Sequence, residues 1–168
     1  MTQELADLKA CILEGRYEDA LSIVDELEDM SRKAILRNIM SFLIRLMIHL
    51  IKNQIEQRLT NSCITSISNS VIEIQSLNQK DNKKSYYVKP NELQEFLEEA
   101  IERAIRPASA EVMNGKLKVA EVASRINRED IFQISNQLLQ LTYRYPAKEL
   151  TSRIDRIIVQ LPGGKEWF

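Results

Sequence analysis

"NIMSFLIRLMIHLIKNQIEQ", residues 38–57, is the stretch that decides the fold of this chain. At 100° per residue of an α-helix, six of its polar residues fall within one sector about 80° wide. This polar seam consists of Asn38, Ser41, Arg45, His49, Lys52 and Glu56. Apolar side chains occupy most of the remaining circumference, which indicates a helix that is buried on most sides. We therefore predict an all-α, single-domain helical bundle with a buried central helix near residues 32–57.

The sequence on either side of this stretch predicts further helices and no strand, because apolar residues recur there at spacings of three and four. About eight helices are expected in total, and the central helix either begins at a cap on Ser31 or continues from the second helix with a bend. The other segments are 2–14, 17–30, 60–77, 90–105, 117–126, 128–145 and 147–161. Asn91 with Gln94 predicts a capping box, Asn127 predicts an N-cap, and Pro107 predicts the end of a helix or a kink. The polar loop 78–90 is a possible sub-domain division.

The stretch "GRYEDAL", Gly15 to Leu21, has the spacing of the turn inside a tetratricopeptide repeat. Such repeats need stacked copies to bury their apolar faces. A step of 34 residues from Gly15, Tyr17 and Ala20 reaches His49, Ile51 and Gln54, so the pattern does not recur. We therefore predict one helical hairpin that packs against the buried central helix, with no repeat array.

Composition and charge exclude several classes of function. The chain has 23 basic and 24 acidic residues, and neither half is basic enough to predict a nucleic-acid-binding surface. Cys11 and Cys63 are isolated, which predicts two buried, reduced thiols and a cytoplasmic protein. The N-terminus does not have the pattern of a signal peptide. The apolar run 40–51 is too short for a bilayer and contains Arg45 and His49, so no membrane span is expected.

Arg45 and His49 are the candidates for catalysis. His49 is the single histidine, and it lies one helical turn after Arg45. The pair resembles the Arg–spacer–His arrangement of helical ribonucleases of the HEPN superfamily, although three residues separate the two here and four to six do so in that motif. A histidine can act as a general acid or base near neutral pH. The alternative is that His49 has no catalytic role and forms a hydrogen bond to a neighbouring helix from its position on the polar seam.

Asp25, Glu28 and Asp29 are the candidates for metal binding, because they lie on one face of a predicted helix and grouped carboxylates bind divalent cations. Arg32 and Lys33 follow four residues after Glu28 and Asp29. That spacing favours ion pairs on a solvated surface, and no metal or cofactor is therefore expected.

One long stretch resembles a known family. "RYEDALSIVDELEDMSRKAILRNIMSFLIRLMIHLIK", Arg16 to Lys52, combines an acidic segment ending at Met30 with the motif His49–Leu50–Ile51–Lys52. This combination is similar to the signature of the domain of unknown function 29 family, and a weaker similarity continues to Leu77. At Cys63 the family often has a tryptophan. The resemblance implies an all-helical bacterial protein, mainly of cyanobacterial type, and it implies no activity and no functional residue.

The functional prediction is a non-enzymatic helical protein that acts through protein–protein contact, with homodimerisation as one form of it. The alternative is an enzyme, either a HEPN-like ribonuclease that uses Arg45 and His49 or a metal-dependent enzyme that uses the Asp25–Asp29 cluster.

Overall fold

The computed structural model describes residues 2–82 and 84–168. Those residues form seven α-helices and no β-strand, which confirms the all-α class with one helix fewer than expected. The helices are α1 (Thr2–Leu13), α2 (Tyr17–Glu56), α3 (Asn61–Asn78), α4 (Leu93–Glu111), α5 (Val119–Arg125), α6 (Arg128–Arg144) and α7 (Ala147–Ile158).

The predicted second and third helices are a single helix, α2, which is 40 residues long. No glycine or proline occurs between Tyr17 and Glu56, so nothing in the backbone interrupts the hydrogen bonding near Ser31. The helix ends where Gln57 adopts a positive φ of 54°. The alternative in which the central helix continues from the second helix is therefore confirmed, because the second helix of the hairpin continues into the helix that carries Arg45 and His49.

Part of α2 is long and apolar enough to cross a membrane by length and composition alone, and 39% of that window is buried within the protein. The expectation that the apolar run is too short for a bilayer considered only residues 40–51, whereas the helix continues on both sides of them. A core helix of a soluble protein has the same length and composition. The predicted cytoplasmic location and absence of a membrane stay predictions.

The chain divides into two compact units, Met1–Arg37 and Asn38–Phe168. In the first unit, residues 2–37 form what we call the N-terminal hairpin. Gly15, at a φ of +74°, ends α1 as predicted. The Gly15 N–H donates to the Ile12 carbonyl at 3.2 Å and the Arg16 N–H to the Cys11 carbonyl at 2.8 Å. This is the Schellman arrangement, which favours glycine at the left-handed residue.

The core of the second unit is built around the C-terminal half of α2. Leu43, Leu46, Met47 and Ile51 of this half are completely buried. Helices α3, α6 and α7 pack against one another, and α4 contacts α5 and α6. The first four polar-seam positions remain partly or largely exposed, at Asn38, Ser41, Arg45 and His49, as the angular pattern predicts. The buried central segment is therefore confirmed, and it is one half of a longer helix.

Buried carboxamides connect distant parts of the second unit. The Gln75 side chain donates to the carbonyls of Thr142 and Tyr145 at 3.0 and 2.8 Å. It thereby supplies hydrogen-bond donors to carbonyl groups at the end of α6 that have no partner within the helix. The Asn78 side chain accepts from the Val88 N–H at 2.7 Å and donates to the Val88 carbonyl at 3.0 Å. It thereby closes the loop between α3 and α4. The prediction that the loop 78–90 divides the chain into two sub-domains stays a prediction.

The start and end of α4 differ from the prediction. A 3₁₀ turn, Pro90–Glu92, precedes the helix, and the Lys89 N–H donates to the Glu92 side chain at 2.9 Å. The expected capping box of Asn91 and Gln94 is therefore wrong, because proline begins the helical turn earlier. The helix also continues through Pro107 to Glu111, so Pro107 does not end it, and the alternative of a kink at Pro107 stays a prediction.

The C-terminal segment folds back onto the loop after α2. The Trp167 indole donates to the Leu59 carbonyl at 2.7 Å, and the Asn53 side chain donates to the Pro162 carbonyl at 2.8 Å. The indole is thereby held against this loop, although Trp167 and Phe168 stay 45% and 55% exposed. Asn127 caps α6 as predicted, because its side chain accepts from the Asp130 N–H at 3.2 Å.

Candidate functional site

Arg45 and His49 lie on the polar seam but have separate surroundings. Arg45 is exposed, and its guanidinium lies 5.6 Å from the centre of the Phe42 ring. His49 is partly buried, and its Nδ1 atom has no hydrogen-bond partner in the described part of the chain. Burial lowers the pKa of His49, and the positive charges of Lys52 and Arg45 lower it further against the opposing effect of Glu111. The imidazole is therefore neutral near pH 7.

The far end of the polar seam contacts the end of α4 and the turn that follows it. The Lys52 ammonium lies 3.3 Å from the Glu111 carboxylate. The Glu56 side chain is only 10% exposed, lies 3.6 Å from Arg58 and accepts weakly from the Met113 N–H at 3.5 Å. The seam is therefore partly covered and ion-paired at this end, and in the described part of the chain the best-formed cavities are lined by other residues than Arg45 and His49.

Cys63 is packed behind the polar seam. Its thiol donates to the His49 carbonyl at 3.7 Å, and burial raises the pKa of the thiol to about 11. Both Cys63 and Cys11 are buried and unpaired with each other, as predicted. A thiol with a raised pKa is a poor nucleophile, so Cys63 has a packing role.

Asp25, Glu28 and Asp29 are exposed on α2. The predicted ion pair between Asp29 and Lys33 is confirmed at 2.9 Å. Among residues 2–82 and 84–168, no three His, Cys, Asp or Glu side chains are close enough together to hold a metal ion. The structure therefore does not gather these carboxylates into a metal site.

The most unusual surface belongs to the N-terminal hairpin. Nine large hydrophobic side chains are exposed in the described residues, and six of these lie in the hairpin. The six are Leu5, Ile12, Leu13, Tyr17, Leu21 and Met30. The buried apolar side chains of the hairpin are only two, Cys11 and Ala20, and both are small.

This exposure contradicts part of the sequence interpretation. Leu5, Ile12 and Leu21 lie at the apolar spacing from which the helices 2–14 and 17–30 were predicted, but these side chains are 51%, 52% and 64% exposed. Tyr17, which belongs to the repeat-like turn pattern, is 65% exposed. Helical periodicity identifies an apolar face, and it carries no information about what covers that face.

The hairpin also differs in charge from the rest of the chain. Residues 2–37 contain five basic and nine acidic side chains, a net charge of −4. Residues 38–168 contain 18 basic and 15 acidic side chains, a net charge of +3. A division of the sequence at its midpoint conceals this asymmetry, which appears only when the boundary between the two compact units is used.

The comparisons with known proteins place the chain in a family. Residues 14–116, more than half of the chain, match the family described as domain of unknown function DUF29. The chain belongs to this family, as the resemblance over Arg16–Lys52 predicted. Neither the curated proteins nor the solved structures yielded a match.

Proposed function

We propose that this protein acts by binding another protein through its N-terminal hairpin, and that it is not an enzyme. The observation that carries the proposal is the deficit of burial in the hairpin, where six large apolar side chains are exposed and only Cys11 and Ala20 are buried apolar residues. Most of the stability of a protein helix comes from packing of its apolar face. Apolar surface that stays exposed marks a surface for interaction.

The exposed side chains are sufficient to contribute substantially to binding. Complete burial of one large apolar side chain contributes about 1.5–3 kcal/mol. These six side chains are between 50% and 77% exposed. Met30 is nine residues after Leu21 on α2 and therefore lies on the opposite side of that helix, and burial of what remains accessible of the other five would contribute on the order of 6 kcal/mol. This is comparable with the cost of association, so binding depends on several side chains together.

Charge supports a second copy of the chain as the partner. The acidic hairpin, with a net charge of −4, fits an apolar surface that is bordered by basic residues. Residues 38–168 carry a net charge of +3, and a second copy therefore offers the opposite sign. A contact of this kind weakens as the salt concentration rises.

Light scattering at micromolar concentration tests the proposal. We expect a dimer for the natural sequence and a monomer for Leu21→Lys, which places a charge where Leu21 is 64% exposed. Ser22→Lys is the matched control, because Ser22 is the neighbouring exposed residue and the charge change is the same. A monomeric natural protein refutes self-association. Dimers in all three proteins refute the role of this surface.

A HEPN-like ribonuclease is the second candidate, and the unpartnered Nδ1 atom of His49 is the observation that favours it. A neutral imidazole with a free ring nitrogen can accept a proton, and the arginine one turn before it could contact a phosphate. The test is cleavage of a single-stranded RNA by the natural protein and by His49→Ala. Cleavage that survives in His49→Ala, or that neither protein shows, excludes this candidate.

A further inference from the structure

A cavity of about 220 Å³ lies between the end of α2, the first turns of α6 and Pro162, entirely within the second compact unit. Its apolar lining comes from Leu50, Ile131, Ile134 and Pro162. Leu50 and Ile131 are 2% and 1% exposed, so they form the floor of the cavity. A preformed cavity with an apolar floor and a few polar groups is the usual form of a small-molecule site.

The polar lining consists almost entirely of carboxamides. Asn53, Gln54, Gln57 and Gln133 contribute the four carboxamides, and Asp130 contributes the single charge. Two of the carboxamides are held rigidly by the backbone. Asn53 donates to the carbonyls of Arg58 and Pro162 at 3.0 and 2.8 Å. Gln54 accepts from the Asn127 N–H at 2.7 Å and donates to the Asn127 carbonyl at 3.2 Å.

The other two carboxamides keep hydrogen-bonding capacity for a ligand. The Gln133 side chain is exposed and has no hydrogen-bond partner in the described ranges of the chain. Gln57 donates to the Gln54 carbonyl at 2.6 Å, which leaves its own carbonyl oxygen to accept. A carboxamide both donates and accepts, so this lining matches a ligand that presents one donor beside one acceptor.

The backbone at Gln57 is a second, independent feature of the cavity. Gln57 has a φ of +54°, in the left-handed region that glycine adopts without strain after the end of a helix. A glutamine there is less stable than a glycine would be. It nevertheless places a carboxamide beside the cavity, and strained residues of this kind cluster at ligand sites.

We propose that this cavity binds a small neutral amide whose carboxamide is attached to an apolar ring. The Asp130 carboxylate disfavours anionic ligands, and the carboxamide lining disfavours an ammonium group because an ammonium donates hydrogen bonds and accepts none. An apolar cavity of about 150 Å³ in another protein holds benzene, so a volume of 220 Å³ accommodates roughly nine non-hydrogen atoms, the size of benzamide. The ring lies against the apolar floor, and the amide meets Gln57 and Gln133.

Titration of the ¹⁵N-labelled protein with benzamide, followed by NMR, tests this proposal. We expect shifts of the amide resonances of Gln54, Gln57 and Ile134. Benzoate and benzylamine are similar in size to benzamide, but benzoate is repelled by Asp130 and has no donor, and benzylamine has no acceptor, so both should bind more weakly. The titration is repeated with Leu21→Lys, which is expected to be a monomer, so that the same shifts in both proteins separate benzamide binding from self-association.

Matched substitutions on α6 locate the ligand. Gln133→Ala removes a lining carboxamide and should weaken benzamide binding about threefold to tenfold, the loss expected for one hydrogen bond. Gln137→Ala is the control, because Gln137 is exposed one turn further along α6 and does not line the cavity. Equal binding of benzoate, equal weakening by the two substitutions, or an absence of shifts at the cavity would each overturn the proposal.

Discussion

Replacement of Asn78 by alanine should destabilise the second compact unit more than any change of an exposed asparagine. Asn78 is 3% exposed, and its carboxamide makes three hydrogen bonds. It accepts from the Val88 N–H at 2.7 Å, and it donates to the Val88 carbonyl at 3.0 Å and to the Tyr143 hydroxyl at 3.2 Å. These bonds join the end of α3 to the start of the segment that leads into α4.

The expected loss follows from which groups are left without partners. The Val88 carbonyl still accepts from the Tyr143 hydroxyl at 2.8 Å, so that oxygen stays satisfied. The Val88 N–H, in a residue that is 1% exposed, loses its acceptor. A stranded buried N–H costs about 1–3 kcal/mol, and the lost donor contacts add about 1 kcal/mol. We therefore expect the free energy of unfolding to fall by about 2–4 kcal/mol.

Urea unfolding followed by circular dichroism measures this difference. Asn69→Ala is the matched control, because Asn69 lies on the same helix and is exposed. We expect Asn69→Ala to change the free energy of unfolding by less than about 0.5 kcal/mol. If Asn78→Ala behaves like Asn69→Ala, the carboxamide does not anchor this loop, and the reasoning from buried hydrogen bonds is refuted.

Three further predictions concern the backbone at two glycines, the ionisation of Tyr143 and the reactivity of the Cys63 thiol. Gly164→Ala should cost at least about 2 kcal/mol in urea unfolding, because a Cβ there would lie 2.3 Å from the Ile158 carbonyl oxygen. Gly15→Ala should cost only about 1 kcal/mol, because no atom lies within 4 Å of the added Cβ and the only cost is that of alanine at a positive φ. Equal losses of unfolding free energy in the two variants would contradict this reasoning. Burial raises the pKa of Tyr143 from 10.0 to about 12, so the phenol loses its proton at a lower pH in the unfolded chain than in the folded protein. The free energy of unfolding should therefore fall between pH 10 and 12. In Tyr143→Phe this fall should be less steep. With a pKa of about 11, the buried Cys63 thiol should react with a thiol reagent at pH 8 far more slowly in the folded than in the unfolded protein, and equal rates would refute this.

The helices and the buried half of α2 could be predicted from the sequence because both depend on local spacing. The seam from Asn38 to Glu56 and the opposing apolar face follow from 3.6 residues per turn. The Schellman turn at Gly15 and the cap at Asn127 depend on backbone groups within five residues. The family could be recognised for a similar reason, because its motif lies within one continuous segment, Arg16 to Lys52.

The candidate sites depended on contacts that local spacing does not contain. Asn53 and Gln54 interrupt an apolar helix, and only the fold brings them to Pro162 and Asn127, which are 109 and 73 residues away. Likewise, the spacing of Leu5, Ile12 and Leu21 specified apolar faces, while the tertiary structure decided that these faces stay exposed. Hydrogen bonding and periodicity within a helix are set by neighbours along the chain. Burial is set by whichever distant segment covers a face, and the spacing of residues along one helix does not specify that segment.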